Sequence, residues 1–302
     1  MQRRQFGTGL ALVLSSTLPV MCAASHPRGD TLPSNAMSKD SSNDSPWRSI
    51  ERSVNGRLGV AVFDTATGRT DGHRLDERFP MCSTFKWLAA ALALKRVDDG
   101  AEKLDRRVRF GREALLSNSS ISETHLADGM TIAELCEAAI TVSDNAAANL
   151  LLASFGGPTA ITRFARTLGD TMTRLDRTEP TLNESRTGDP RDTTTPRAMS
   201  VALNAALLGK ALSPSGRSQL MQWMVATKTG DDRLRAGVPP TWKVGDKTGT
   251  GAHGSTNDVA VLMPPNRAPL IVAAYLTRAT APPSERNRAL ADVGRAVARM
   301  FA

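Results

Sequence analysis

In the stretch MCSTFKW, Ser83 stands three residues ahead of Lys86 at the head of an apolar, helix-like pattern. On a helix that spacing puts both side chains on one face, about 5–6 Å apart at Cβ. The first turn of a helix also offers unpaired N–H groups and the positive end of the dipole, which favour negative charge on a serine oxygen. Burial in such a place pushes a lysine toward its neutral form, able to take the hydroxyl proton and leave a nucleophile. The same two residues serve equally well as an N-cap and a solvated side chain, so the pair needs partners before it means chemistry.

Ser143, Asp144 and Asn145 fall in a break between two helical patterns. A hydroxyl and an amide presented from such a turn can relay a proton and bind a substrate amide, although Asp144 or Asn145 capping the next helix is an equally good reading. Lys247, Thr248 and Gly249 repeat the letters of Lys228, Thr229 and Gly230. The earlier copy is expected to close a helix, with Gly230 as the stop, and to be structural. The later copy is expected to end a strand, Trp242 to Asp246, and continues into Thr250 and Gly251. There a lysine, hydroxyls and close-approach glycines can bind a carboxylate and offer N–H groups to an oxyanion.

These groups lie far apart in the chain, so the elements between them must bring them together. Helical periodicity covers Trp47 to Val54, Phe85 to Val97, Ile132 to Val142 behind a Thr131–Glu134 capping box, Asn145 to Phe155, Thr159 to Leu168, Pro196 to Leu208 and Ser215 to Val225. Strands are predicted around Leu58, Val60 and Val62, with a turn at Thr65 to Gly68. Three more follow at Trp242 to Asp246, Asp258 to Met263 and Leu270 to Thr277, with a closing helix over Ser284 to Phe301. Strands at both ends around a helical middle imply one sheet built from the two termini, with a helical lobe inserted, and a cleft between them as the natural site. The predicted organisation is an α/β lobe of residues 46–77 and 226–302 and a helical lobe of residues 78–225.

Residues 1–24 carry a basic start, an apolar stretch too short to be a permanent anchor, and small residues at Cys22 and Ala24, a secretory signal pattern. Arg3 and Arg4 lean toward twin-arginine export. Residues 25–45 are polar and read as a disordered leader. The formal charge is +8, but the arginines are scattered and aromatic residues make up only 4%, which argues for general surface basicity rather than a nucleic-acid partner. His26, His73, His125 and His253 show no metal-ligand spacing, and no cofactor is implied.

Taken in order, Ser-x-x-Lys, Ser-Asp-Asn and Lys-Thr-Gly closely resemble the motif set of the serine β-lactamase and penicillin-binding protein superfamily. RTEPTLNES, from Arg177 to Ser185, resembles the Ω-loop of class A β-lactamases, with Glu179, Pro180 and Asn183 in place and Asp192 available to close the loop on Arg177. The resemblance runs from about residue 47 to 302. It implies a three-layer α/β/α sandwich with an antiparallel sheet plus an inserted all-helical lobe (α+β or α/β class). The implied activity is that of a periplasmic, monomeric hydrolase of penicillins and cephalosporins, conferring β-lactam resistance.

In that family the serine, here Ser83, is the nucleophile, and its N–H and that of Thr250 hold the oxyanion. Lys86 or Glu179 takes the serine proton, Ser143 protonates the leaving nitrogen, and Glu179 with Asn183 activates the deacylating water. Asn145 binds the substrate's side-chain amide, and Lys247, Thr248 and Gly249 hold its carboxylate. Arg233 stands where one subgroup keeps a carboxylate-binding arginine, while Thr256 occupies the position other members give to arginine. Cys82 and Cys136 each match half of a family disulfide, but the partner positions hold Gly251 and Ala90, so both thiols are expected free. Asn118 replaces a common aromatic at the rim. A D,D-peptidase or transpeptidase, disfavoured by the Glu179 loop, and a membrane-anchored β-lactam sensor are the competing readings.

Overall fold

A computed structural model describes residues 45–301. Helix α1 (Pro46–Ser53) begins with Pro at its first turn and buries Trp47 and Ile50, one helical turn apart. It leads into β1 (Arg57–Asp64) and β2 (Arg69–His73), joined by the turn expected at Thr65 to Gly68. After β3 (Phe79–Pro80) and a 3₁₀ turn over Cys82–Phe85 come α2 (Lys86–Asp98), β4 (Arg107–Val108), α3 (Ser120–Thr124), β5 (Met130–Thr131), α4 (Ile132–Thr141), α5 (Asn145–Ser154) and α6 (Thr159–Thr167). A second 3₁₀ turn, Thr181–Glu184, precedes β6 (Thr193–Thr194), α7 (Pro196–Leu207), α8 (Pro214–Val225) and the single turn α9 (Leu234–Gly237). The chain closes with β7 (Lys243–Thr250), β8 (Thr256–Met263), β9 (Leu270–Thr277) and α10 (Pro283–Phe301).

One antiparallel sheet runs in the order β2-β1-β9-β8-β7, so strands from the two ends of the chain meet at the β1–β9 pair. Period-2 alternation divides its faces between two hydrophobic cores. From β8 and β9, Ala260, Leu262, Leu270, Val272, Ala274 and Leu276 join α1 and α10 on one side. Val259, Val261, Ile271, Ala273 and Tyr275 join the other core, which extends through α2, α4, α5, α7 and α8. This is the expected three-layer α/β/α arrangement. Helices α7 and α8, assigned by sequence to the inserted lobe, pack on the sheet itself, α7 against β1 and β9 and α8 against β7.

Helix α2 is apolar nearly all round and buries eight of its residues, as a central helix must. The capping box at Thr131 and Glu134 forms as its sequence predicts, starting α4. Gly59 lets β1 approach the buried Phe79 ring, which a Cβ there would meet at 2.4 Å. Two strand limits differ from expectation. β7 continues through Lys247, Thr248, Gly249 and Thr250, and β8 begins at Thr256 rather than Asp258. The polar and glycine residues of this stretch have poor strand propensity, but each pairs with a partner on β8, and the ladder prevails.

Candidate active site

The sequence-predicted groups converge where the 3₁₀ turn before α2, the α4–α5 connection, the loop 177–192 and β7 meet. Ser83 lies in that 3₁₀ turn and Lys86 is the first residue of α2, so the serine precedes the α-helix instead of sitting within its first turn. Its predecessor Cys82 is held at φ +47°, and Ser143 at φ +60°. Left-handed backbone at a residue other than glycine costs about 1–3 kcal/mol and persists only where the surroundings enforce it.

Ser83 Oγ donates to Glu179 Oε1 at 2.9 Å. Lys86 Nζ is 3.0 Å from the same oxygen, and both side chains are fully buried. The ammonium also reaches Asn145 Oδ1 at 2.7 Å, Ser143 O at 2.8 Å and Ser143 Oγ at 3.2 Å. From the other side Lys247 Nζ donates to Ser143 Oγ at 3.1 Å and to Thr248 O at 2.8 Å. Ser143 Oγ is therefore flanked by two lysines.

Burial lowers the Lys86 pKa, and the attraction of Glu179 only partly opposes it. Lys247 is held well below its ordinary value, first by burial and then by the positive charge of Lys86, with Asp246 opposing. Two amines held below their ordinary pKa give up a proton more readily than a solvated lysine, and a cation restored by an arriving carboxylate binds it strongly.

Asp144 is the cap that the sequence allowed. Its side chain accepts from Ala147 N at 2.9 Å and ties α3 to α5 through Ile121 N, Ser122 N and Ser122 Oγ. Asn145 is then fixed by donating Nδ2 to Ser117 O at 2.7 Å. Asn118, at the rim, donates to Ser143 O at 2.8 Å and so helps hold that turn.

Asn183 Nδ2 donates to Glu179 Oε2 at 2.5 Å, leaving one carboxylate oxygen for Ser83 and Lys86 and the other for Asn183. The loop closes as expected: Asp192, buried, accepts from Arg177 Nε at 2.5 Å and from the backbone N–H groups of Asp176 and Arg177. Asn149 brackets Glu179, accepting from its N at 2.9 Å and donating to its O at 2.9 Å. Sequence reasoning missed Asn149. Its position one helical turn beyond Asn145 on α5, on the same face, was the available signal.

The earlier Lys-Thr-Gly copy also corrects an expectation. Helix α8 ends at Val225, and Gly230 has no left-handed φ, so it is no helix stop. It is glycine because a Cβ would lie 2.0 Å from Asp246 Oδ2. Thr229 Oγ1 lies 2.6 Å from Thr248 Oγ1, which brings the dismissed copy into the site. Arg233 is buried beside β7, donating to Gly249 O at 3.0 Å, Asn257 O at 2.7 Å, Thr250 Oγ1 at 2.7 Å and Asn287 Oδ1 at 3.0 Å. It bears on the cleft through Thr250, whose register partner is Thr256. Burial pushes its pKa down, against the charge of Asp258.

Cys82 and Cys136 are free and buried. Burial pushes the Cys82 thiol up to about 12, which makes it unreactive at neutral pH. A Cβ at Gly251 would stand 2.7 Å from Cys82 Sγ, so the two positions do adjoin, and only the side chain for a bridge is missing.

Residues 46–301 match the model of the β-lactamase enzyme family. Over 302 residues the chain is 42% identical to β-lactamase L2 of Stenotrophomonas maltophilia, covering 99% of each sequence. Over 252 residues it is 47% identical to β-lactamase CTX-M-97 of Escherichia coli, covering 83% of this chain and 87% of that one. Among solved structures, an ancestral class A β-lactamase (GNCA) superposes with a TM-score of 0.83 at 60% identity, covering 84% of this chain and 97% of the other. Whole-length identity of this order, a shared fold and the converged motif residues together place the chain in the β-lactamase enzyme family, as a class A serine β-lactamase.

Proposed function

We propose that the protein hydrolyses the β-lactam amide of penicillins and cephalosporins in the periplasm, through an acyl-enzyme on Ser83. The observation that carries this reading is the position of Glu179 Oε1, 2.9 Å from Ser83 Oγ and 3.0 Å from Lys86 Nζ. Ser83 Oγ attacks the lactam carbonyl carbon as its proton passes to Lys86 or to Glu179, with the N–H groups of Ser83 and Thr250 holding the oxyanion. The C–N bond breaks and the nitrogen takes a proton from Ser143, which recovers one from its flanking lysines. The product is an ester.

Glu179, oriented by Asn183, then deprotonates a water that attacks the ester carbonyl, and the Ser83 oxygen leaves with a proton returned to it. Lys247 and Thr248, with Gly249 bringing the backbone close and Thr250 held by Arg233, receive the substrate carboxylate. Asn145 receives the side-chain amide.

The reading takes residues 1–24 as the export signal, 25–45 as leader and 46–302 as a catalytic unit acting as a monomer on small molecules, without nucleic acid or a permanent anchor. The signal and nearly all of the leader lie outside the described residues. Among those described, no helix is long and apolar enough to cross a membrane. Intact-mass spectrometry with a penicillin or cephalosporin tests the proposal. The wild type should turn over with no lasting adduct, Glu179→Gln should retain an acyl group on Ser83, and Ser83→Ala should do neither. A lasting adduct on the wild type would point to a sensor or transpeptidase instead.

A further inference from the structure

A cavity of about 440 Å³ opens behind the loop that carries Glu179, between the start of β1, the approach to β3, residues 185–190 and the end of β9. Its lining includes four arginines, Arg57, Arg78, Arg186 and Arg278, against two carboxylates, Glu77 and Asp189. Both carboxylates are already matched. Glu77 takes Arg57 at 2.6 Å and Arg74 at 3.1 Å, and Asp189 takes Arg191 at 2.7 Å. Bonds from Arg191 bring the Asp189 pKa down to about 2, and Arg57 lowers that of Glu77, so neither acid is a proton-bearing neutral wall.

Two of the arginines are also spoken for. Arg57 stacks on the Phe79 ring at 3.9 Å while it pairs with Glu77, and Arg186 reaches Glu184 at 3.1 Å. The remaining two are not. Arg78, half-buried, donates Nη1 only to neutral acceptors, Met172 O at 2.9 Å and Thr193 Oγ1 at 3.0 Å. Arg278, exposed at the mouth of the recess, follows β9, its backbone N–H donating to His253 O at 2.7 Å. Among the described residues no carboxylate lies within ion-pair distance of either.

A half-buried guanidinium that spends its donors on neutral oxygens still seeks an anion, and its planar fork suits a carboxylate or phosphate. We propose that this recess binds a compact, multiply charged oxyanion between Arg78 and Arg278, a ligand site separate from the catalytic cleft. The ligand chemistry is that of a phosphate group or a small polycarboxylate. Occupancy ties the end of β9, through Arg278, to the segment before β3, through Arg78, across a recess walled by residues 185–190.

Calorimetric titration and thermal melting of the full chain, with inorganic phosphate and with citrate at constant ionic strength against chloride, test the assignment. Both anions also stabilise proteins by exclusion from the surface, so each measurement is repeated on Arg278→Gln, Arg78→Gln and the remote Arg299→Gln. The expected result is saturable binding with a Tm rise of about 5 °C near saturation in the wild type and in Arg299→Gln. Affinity should fall at least tenfold in Arg278→Gln, which lies outside the catalytic groups and should keep its β-lactam turnover. If Arg78→Gln fails to fold, Arg278→Gln alone decides. Tighter citrate or tighter phosphate assigns the source. A response that does not saturate, or that is equal in Arg278→Gln, overturns the site.

Discussion

The hydroxyls of Thr229 and Thr248 lie 2.6 Å apart, on a loop and a strand that both read Lys-Thr-Gly. Thr229 therefore orients the hydroxyl proposed to receive the substrate carboxylate. A neutral hydrogen bond of this kind contributes about 1 kcal/mol, or roughly fivefold in an equilibrium. Thr229→Val should raise KM by about that factor for carboxylate-bearing β-lactams with little change in kcat, and Thr229→Ser should restore it. Steady-state kinetics on the three proteins check this, and equal losses in KM and kcat would refute it.

Removing Arg177 leaves the Asp192 carboxylate buried with only its backbone donors. Breaking such a pair costs about 3 kcal/mol or more. Arg177→Gln should therefore lower Tm and loosen the segment that holds Glu179, slowing deacylation more than acylation. Thermal melting together with burst and steady-state rates measures both.

At the far side of the sheet, Glu51 accepts from Leu58 N at 2.9 Å and from Arg74 Nε at 2.7 Å. Burial works to raise its pKa, but the bonds from Arg74 and Leu58 prevail and bring it from 4.5 down to about 2. With the folded value depressed, its stabilisation is full above pH 4.5 and is lost as pH falls toward 2. Glu51→Gln should be less stable than wild type at pH 6, and the gap should narrow across that window in melts run at stepped pH. A gap that stays constant would remove Glu51 from the acid limb.

Gly237 and Gly294 let α9 lie directly on α10. A Cβ on Gly237 would stand 1.9 Å from Ala291 O, with no flexible side chain to yield. Gly237→Ala should cost about 3 kcal/mol, a Tm drop of about 6–12 °C. A melt unchanged within a degree would show that the two helices part easily.

Local order in the chain determined a good deal. Helix limits followed from caps and periodicity, as at Thr131, Asp144 and Pro196. Four short motifs named most of the groups around Ser83, because each chemistry demands particular side chains at fixed offsets. What lay beyond that reading depends on contacts between residues far apart. Strand β7 runs on through Lys247 to Thr250 because β8 pairs with it, against local propensity. Thr229 and Gly230 belong to the site because the segment after α8 is laid against β7, and Asn149 because the loop 177–192 folds back over α5. Arg233 turns its charge onto backbone carbonyls and Thr250, a choice only the packing of α9 and α10 beside the sheet could make. The depressed pKa values of Lys86 and Lys247 are likewise tertiary, since desolvation exists only once the layers close over them.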